Sequence, residues 1–137
     1  MGSKSDYLEG KVLAHVLGNT AYTAPTTLYV SLFTVTPSDA GGGTEVTGGS
    51  YARVAVTNNT TNFPAPTGTS PTTSTNGTAI TFPAPTANWG TVVAFGIHDA
   101  ATLGNLLYWG ALSVSKTINN GDAAPSFAAS ALTITED

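Results

Sequence analysis

The chain has 137 residues and a net charge of -4, and charged side chains are scarce in it. They make up 9% of the residues, whereas an ordinary soluble domain carries about 25%. Cysteine is absent, and the chain has two histidines and four basic residues. Acid–base catalysis, metal capture and phosphate binding all depend on these residue types. The composition therefore argues against an enzyme, a metal or cofactor site and a nucleic-acid partner, and it indicates a structural or assembly protein.

The length predicts a single domain over residues 1–137, with a core large enough to fold without disulfides or metals. No stretch approaches the ~20 apolar residues that a membrane-spanning helix needs, so no membrane partner is expected. The first residues lack the apolar segment of a secretory signal.

Residues 5–18 are predicted to form a short N-terminal helix, with Asp6 as its cap. Aliphatic side chains recur there at helical spacing: Leu8, Val12 and Val16, flanked by Leu13 and Leu17. A helix of about three turns is not stable alone. Its apolar face is therefore expected to pack on the body of its own domain or on a neighbouring subunit.

After Pro25 the apolar period changes from 3.6 to 2, which is typical of β-strands. Strands are predicted over residues 27–34, 51–57, 79–82, 91–98, 105–112, 126–127 and 131–135, and residues 113–118 are predicted to continue as a strand or bend. Residues 99–104 are predicted to form a hairpin connection. Short strands with turn signals about every ten residues predict a mainly β fold. We expect an antiparallel β-sandwich or barrel, jelly-roll-like, with one short N-terminal helix.

Residues 58–78 consist almost entirely of Thr, Ser, Asn, Pro and Gly. A loop of about 20 residues without secondary structure is unusual in a compact domain. Two interpretations follow: a flexible surface loop, or an extended arm that is ordered only against a neighbour. The tetrapeptide FPAP occurs at residues 63–66 and again at residues 82–85. We predict that these segments dock at an interface, together with the helix face, through Leu8, Val12, Val16, Phe63, Pro64, Pro66 and Phe82.

One adjacent pair of residues could suggest catalysis, namely His98 and Asp99. A catalytic dyad would also need a nucleophile and an oxyanion site, which spacing cannot show. We therefore interpret the pair as a strand-end histidine beside a turn aspartate. The aromatic residues could stack on sugar rings, but in alternating strands they more often form a core or a subunit interface.

Several ordered blocks of the sequence resemble a known family. They include SDYLEGKVLAHVLG at residues 5–18, GSYARVAV at residues 49–56, FGIHDAA at residues 95–101 and GNLLYWGAL at residues 104–112. The sequence between Ser5 and Ile134 resembles small virion proteins of tailed bacteriophages, which are often labelled tail-fibre proteins and include capsid decoration proteins. Residues 58–78 depart from the family pattern in being longer and richer in proline.

The resemblance implies a β-rich subunit that self-associates, commonly as a trimer, and binds the major capsid protein or other virion proteins. It carries over no catalytic residues. The first hypothesis is a capsid decoration, or cement, protein on the outer shell, because the chain has no room for a long shaft. The alternative is a tail component, such as a fibre, baseplate or adaptor domain involved in host attachment.

Overall fold

The computed structural model describes residues 2–136, which form one helix and ten strands. The helix, α1, spans Asp6–Val16. The strands are β1 (Gly2–Lys4), β2 (Thr27–Val35), β3 (Thr44–Glu45), β4 (Val54–Thr57), β5 (Thr72–Thr75), β6 (Ile80–Thr81), β7 (Gly90–His98), β8 (Leu106–Ile118), β9 (Ser126–Phe127) and β10 (Thr133–Glu136).

The main sheet has six antiparallel strands in the order β1-β8-β7-β2-β3, and β4 pairs with β2 beside β3. Its centre is the β2–β7 pair, in which Val30 lies opposite Ile97 and Leu32 opposite Phe95. Branched and aromatic side chains of this kind favour the pleated surface of a strand. The longest strands of the fold, β2, β7 and β8, are rich in such side chains.

Two short ribbons, β5–β10 and β6–β9, cover one face of the main sheet. The buried side chains between the layers form one cluster that includes Val30, Leu32, Phe82, Phe95, Ile97, Leu132 and Ile134. Each fully buried aliphatic or aromatic side chain of this kind contributes about 1.5–3 kcal/mol to stability. The ribbons thus act as the second layer, although each has only two strands.

The predicted fold class is confirmed: the structure is mainly antiparallel β with one N-terminal helix. Within residues 2–136 the sheets are open, which is the arrangement of a sandwich-like fold and not of a closed barrel. β1 and β3 were not predicted as strands, because each has only two or three residues, whereas the strand predicted at residues 126–127 is present as β9.

Residues 58–78 are folded onto the body over much of their length. They contain β5, whose four residues pair with β10, and they contain the buried Asn76. The Asn76 side chain donates to the carbonyls of Thr78 and Ala128 and accepts from Leu132 N, each at 2.9 Å. The prediction of a flexible loop or free arm is therefore wrong for residues 72–76, since these residues help to close the second layer.

The other face of the main sheet is polar at its centre. Ser31 lies opposite Gly96, and Ser31 Oγ lies 2.8 Å from His98 Nε2. A Cβ at Gly96 would come within 2.7 Å of Ser31 Oγ, so only glycine fits there. This face holds a hydrogen-bonded cluster instead of a second apolar layer.

Candidate assembly surface

Helix α1 has its buried contact in its first turn, and near its other end His15 Nδ1 accepts from Tyr22 N at 3.0 Å. Ser5 caps it, since Ser5 Oγ accepts from Leu8 N at 3.3 Å and donates to the Leu106 carbonyl at 2.5 Å. The cap predicted at Asp6 is thus wrong by one residue, and Asp6 is the first helical residue, where its charge suits the helix dipole. Leu8 is 4% exposed and is the one buried residue of the helix.

The second half of α1 carries exposed aliphatic side chains: Val12, Leu13, Val16 and Leu17, which we call the α1 apolar face. Their exposed fractions run from 37% at Val12 to 76% at Leu17. At about 100° per residue, they span an arc of roughly 140° around the helix. Exposed apolar patches occur at protein and membrane contact sites and in ligand-binding grooves.

The apolar face of the helix was predicted to pack on its own domain or on a neighbour. In the structure, the residues of this face differ in burial. Leu8 packs within the chain and is not part of the outward face of the helix. Val16 faces outward at 71% exposure, whereas Val12, at 37%, is partly covered by its own chain. They remain predicted interface residues.

The two FPAP segments have different positions. Phe82 is 2% exposed and packs edge-on against Phe127 at a centroid distance of 6.3 Å. Its prediction as an interface residue is wrong, because its neighbours belong to the core of the same chain. Phe63 is half-buried against that core, whereas Pro64 and Pro66 are exposed. These last three remain predictions.

A cavity of about 310 Å³, the layer cavity, lies between the first turn of α1, the main sheet and the β5–β10 ribbon. Its walls are mostly apolar and include Leu8, Leu28, Phe63, Pro66, Ile97 and Ile134. The sequence predicted three of these residues as interface residues, but it gave no sign that they would surround one cavity.

Glu136 supplies a charged group at the wall of the layer cavity. It forms an ion pair with Lys4 of β1, so its charge is compensated. Burial, reinforced by the nearby Glu136 carboxylate, raises the pKa of the adjacent Tyr108 to about 12. The phenol therefore stays neutral at physiological pH, and the cavity has no uncompensated charge among the described residues. Pairing of β1 with β8 places Lys4 here, which sequence spacing could not have shown.

The polar face of the main sheet holds an ion pair of Glu45 and Arg53. Arg53 donates to both Glu45 carboxylate oxygens, at 2.8 and 2.7 Å, and also to the carbonyls of Ala100 and Leu103, each at 2.9 Å. Tyr51 donates to Glu45 at 2.9 Å. All these bonds join segments of the same chain, so the cluster has a structural role.

His98 and Asp99 have separate partners, as expected of a strand-end histidine and a turn aspartate. Asp99 accepts from the backbone and side-chain nitrogens of Asn105, each at 2.7 Å, and so closes the β7–β8 connection. His98 is 5% exposed, and burial together with the neighbouring Arg53 lowers its pKa to about 4. The imidazole is therefore neutral at physiological pH and is engaged with Ser31.

Within residues 2–136, no three histidine or carboxylate side chains lie close enough together to hold a metal ion. In the same part of the chain, no helix has the length and apolar character needed to cross a membrane.

A weakly charged β body with an exposed apolar helix face has the features of a structural protein. The family model described as podophage GP4 fiber I protein gp80 matches residues 3–135, and the chain belongs to this family. This confirms the resemblance to tailed-phage virion proteins that carry the tail-fibre label. The family is one of fibre structural proteins and not of known enzymes. No curated protein sequence matches the chain.

Proposed function

We propose that this chain is a virion subunit that works by protein–protein assembly, with the α1 apolar face as its attachment surface. The observation that carries the proposal is the exposure of Leu13, Val16 and Leu17, at 61%, 71% and 76%, at the end of a helix whose one buried residue, Leu8, lies in its first turn. Removing apolar surface from water stabilises a contact by about 25 cal/mol per Å². A partner that covers this face therefore gains affinity at little electrostatic cost.

We further propose that the subunit self-associates, as a trimer, and attaches to another virion protein. A low charge content supports this proposal, because interface cores are depleted of charged residues. Ion pairs take up Lys4 and Arg53 within the chain, which leaves few charges to desolvate on assembly.

Two locations in the virion are candidates. The first is a tail fibre or an adaptor attached to it, which the fibre description of the matching family supports. The second is capsid decoration in contact with the major capsid protein. The compact arrangement of residues 2–136 favours that second candidate, because one sheet and two ribbons form no elongated shaft. The two candidates differ in the number of copies that a particle carries.

The proposed attachment surface is tested with the double variant Leu13→Lys and Leu17→Lys. Lysine is a good helix former and suits a helix C-terminus, so α1 is expected to persist. The matched control is Val114→Lys, which changes a valine that is 78% exposed on β8. Particles are produced by a phage lacking the gene and supplied with each variant.

We expect the double variant to reduce the amount of protein on purified particles at least about tenfold, which corresponds to about 1.4 kcal/mol. The control variant is expected to match the wild type. Unchanged incorporation of the double variant, with melting temperatures equal to that of the wild type, would contradict the proposed surface.

A further inference from the structure

We infer that the α1 apolar face of one copy of the chain seats in the layer cavity of a second copy. The inference rests on the proposed function and names the partner of the attachment surface. Each copy carries both halves of the contact: an exposed apolar projection and a mostly apolar cavity.

The cavity has the size and the wall chemistry for such an occupant. Its volume of about 310 Å³ equals the liquid volume of roughly ten water molecules at ~30 Å³ each. Leu28, Ile97, Leu107 and Ile134 contribute aliphatic walls. Its wall reaches the protein surface at Ala24 and Pro66, two lining residues that are both exposed. Aliphatic side chains that displace water from such walls gain burial on both sides of the contact.

Neither of the two surfaces carries an unpaired charge among the described residues. Residues 12–18 of the chain contain no Asp, Glu, Lys or Arg. The one carboxylate of the cavity wall, Glu136, is already paired with Lys4. Seating the helix would therefore bury no unpaired charge, which would otherwise cost several kcal/mol.

The helix cannot fill the cavity of its own chain in this arrangement. Leu8 of the first turn forms part of the cavity wall, while Leu13 and Leu17 point into solvent. The projection and the cavity are therefore different surfaces, and we place them in a head-to-tail contact because it builds the proposed trimer. Head-to-tail contacts between identical subunits build closed rings when the rotation closes. A ring of this kind would be the self-associated form of the subunit.

Two variants that each remove one half of the contact test the inference. Leu13→Lys with Leu17→Lys removes the projection and leaves the cavity intact. Ala24→Trp blocks the cavity mouth from an exposed position and leaves the projection intact. Ala24 precedes Pro25 outside any helix or strand, so the larger side chain puts no regular element at risk. Val114→Lys is again the control, and sedimentation velocity with thermal melting gives the oligomeric state and the stability of each protein.

We expect the wild type and the control to assemble, and each half-contact variant to sediment as a folded monomer. A mixture of the two variants retains one working projection and one working cavity, so it is expected to form a 1:1 dimer that stops there. A mixture that remains monomeric would overturn the inference, as would a wild type that is monomeric at every concentration.

The remaining outcomes separate the inference from the proposed function. If Ala24→Trp assembles as the wild type does while Leu13→Lys with Leu17→Lys fails, the helix binds elsewhere, and only the inference is overturned. If Leu13→Lys with Leu17→Lys also assembles normally and enters particles, the α1 apolar face is not an attachment surface, and both fail.

Discussion

Arg53 links separate parts of the chain through a side chain that is only 9% exposed. It holds Glu45 of β3 and two carbonyls of the β7–β8 connection. Arg53→Ala would leave Glu45 partly buried without its counter-charge. Because removing one partner of a buried pair is strongly destabilising, we expect the free energy of unfolding to fall by about 3 kcal/mol in urea titrations.

Lys116→Ala is the control for this variant, since Lys116 is an exposed basic residue on β8. It is expected to change the free energy of unfolding by less than about 0.5 kcal/mol, as surface substitutions usually do. Equal unfolding midpoints for Arg53→Ala and Lys116→Ala would show that the ion pair contributes little.

His98 makes the stability of the fold depend on pH. Its pKa falls from 6.5 to about 4 on folding, because burial and Arg53 oppose the imidazolium. Between these two values the unfolded chain binds more protons than the folded chain. His98 therefore lets stability rise with pH through this window, and its contribution is complete above pH 6.5 and lost as the pH falls towards 4.

The shift corresponds to about 3 kcal/mol, at 1.36 kcal/mol per pKa unit. We expect His98→Gln to flatten the rise of unfolding free energy between pH 4 and 6.5, as measured by denaturant titration at several pH values. His15→Gln is the control, because it removes the other histidine and keeps His98. A slope in His98→Gln equal to that of the wild type would contradict this assignment.

At the scale of elements, Asn76 connects the loop after β5 to the chain before β10. Its side chain makes three hydrogen bonds while only 1% exposed. Asn76→Ala would leave Leu132 N and the Thr78 carbonyl without these partners, whereas the Ala128 carbonyl still accepts from Ala131 N. Each buried unpaired group costs about 1–3 kcal/mol, so we expect a loss of about 2 kcal/mol in unfolding free energy. Asn88→Ala, at an exposed loop position, is the control, and a comparable loss in both variants would contradict the role of Asn76.

The strands that were predicted well from the sequence are long ones, in which branched and aromatic side chains recur along the whole strand. β2 and β7 have nine residues each, rich in branched and aromatic side chains, so local propensity suffices to identify them. β5 has the sequence TTST, with no apolar alternation, and it is a strand only because β10 pairs with it. Tertiary pairing of this kind lies outside any local window of sequence.

At the scale of the whole molecule, the predicted interface residues fall into two groups, one buried within the chain and one exposed on its surface. The four-residue spacing of Leu8, Val12 and Val16 predicted that they share one side of a helix, and this is correct. It could not show that the helix projects after its first turn, so that Leu8 is buried and Val16 is 71% exposed. The layer cavity was not predictable either, because its wall comes from α1, the main sheet and two elements of the second layer.

The most direct test of the account is the number of copies of this protein in a purified particle, measured by quantitative mass spectrometry with the major capsid protein as the internal standard. A fibre-type virion subunit predicts that the protein is present at a few per cent of the major capsid protein. A near-equal ratio would move the protein to the capsid surface and support the second candidate. Absence of the protein from purified particles would contradict the central claim that it is a structural part of the virion.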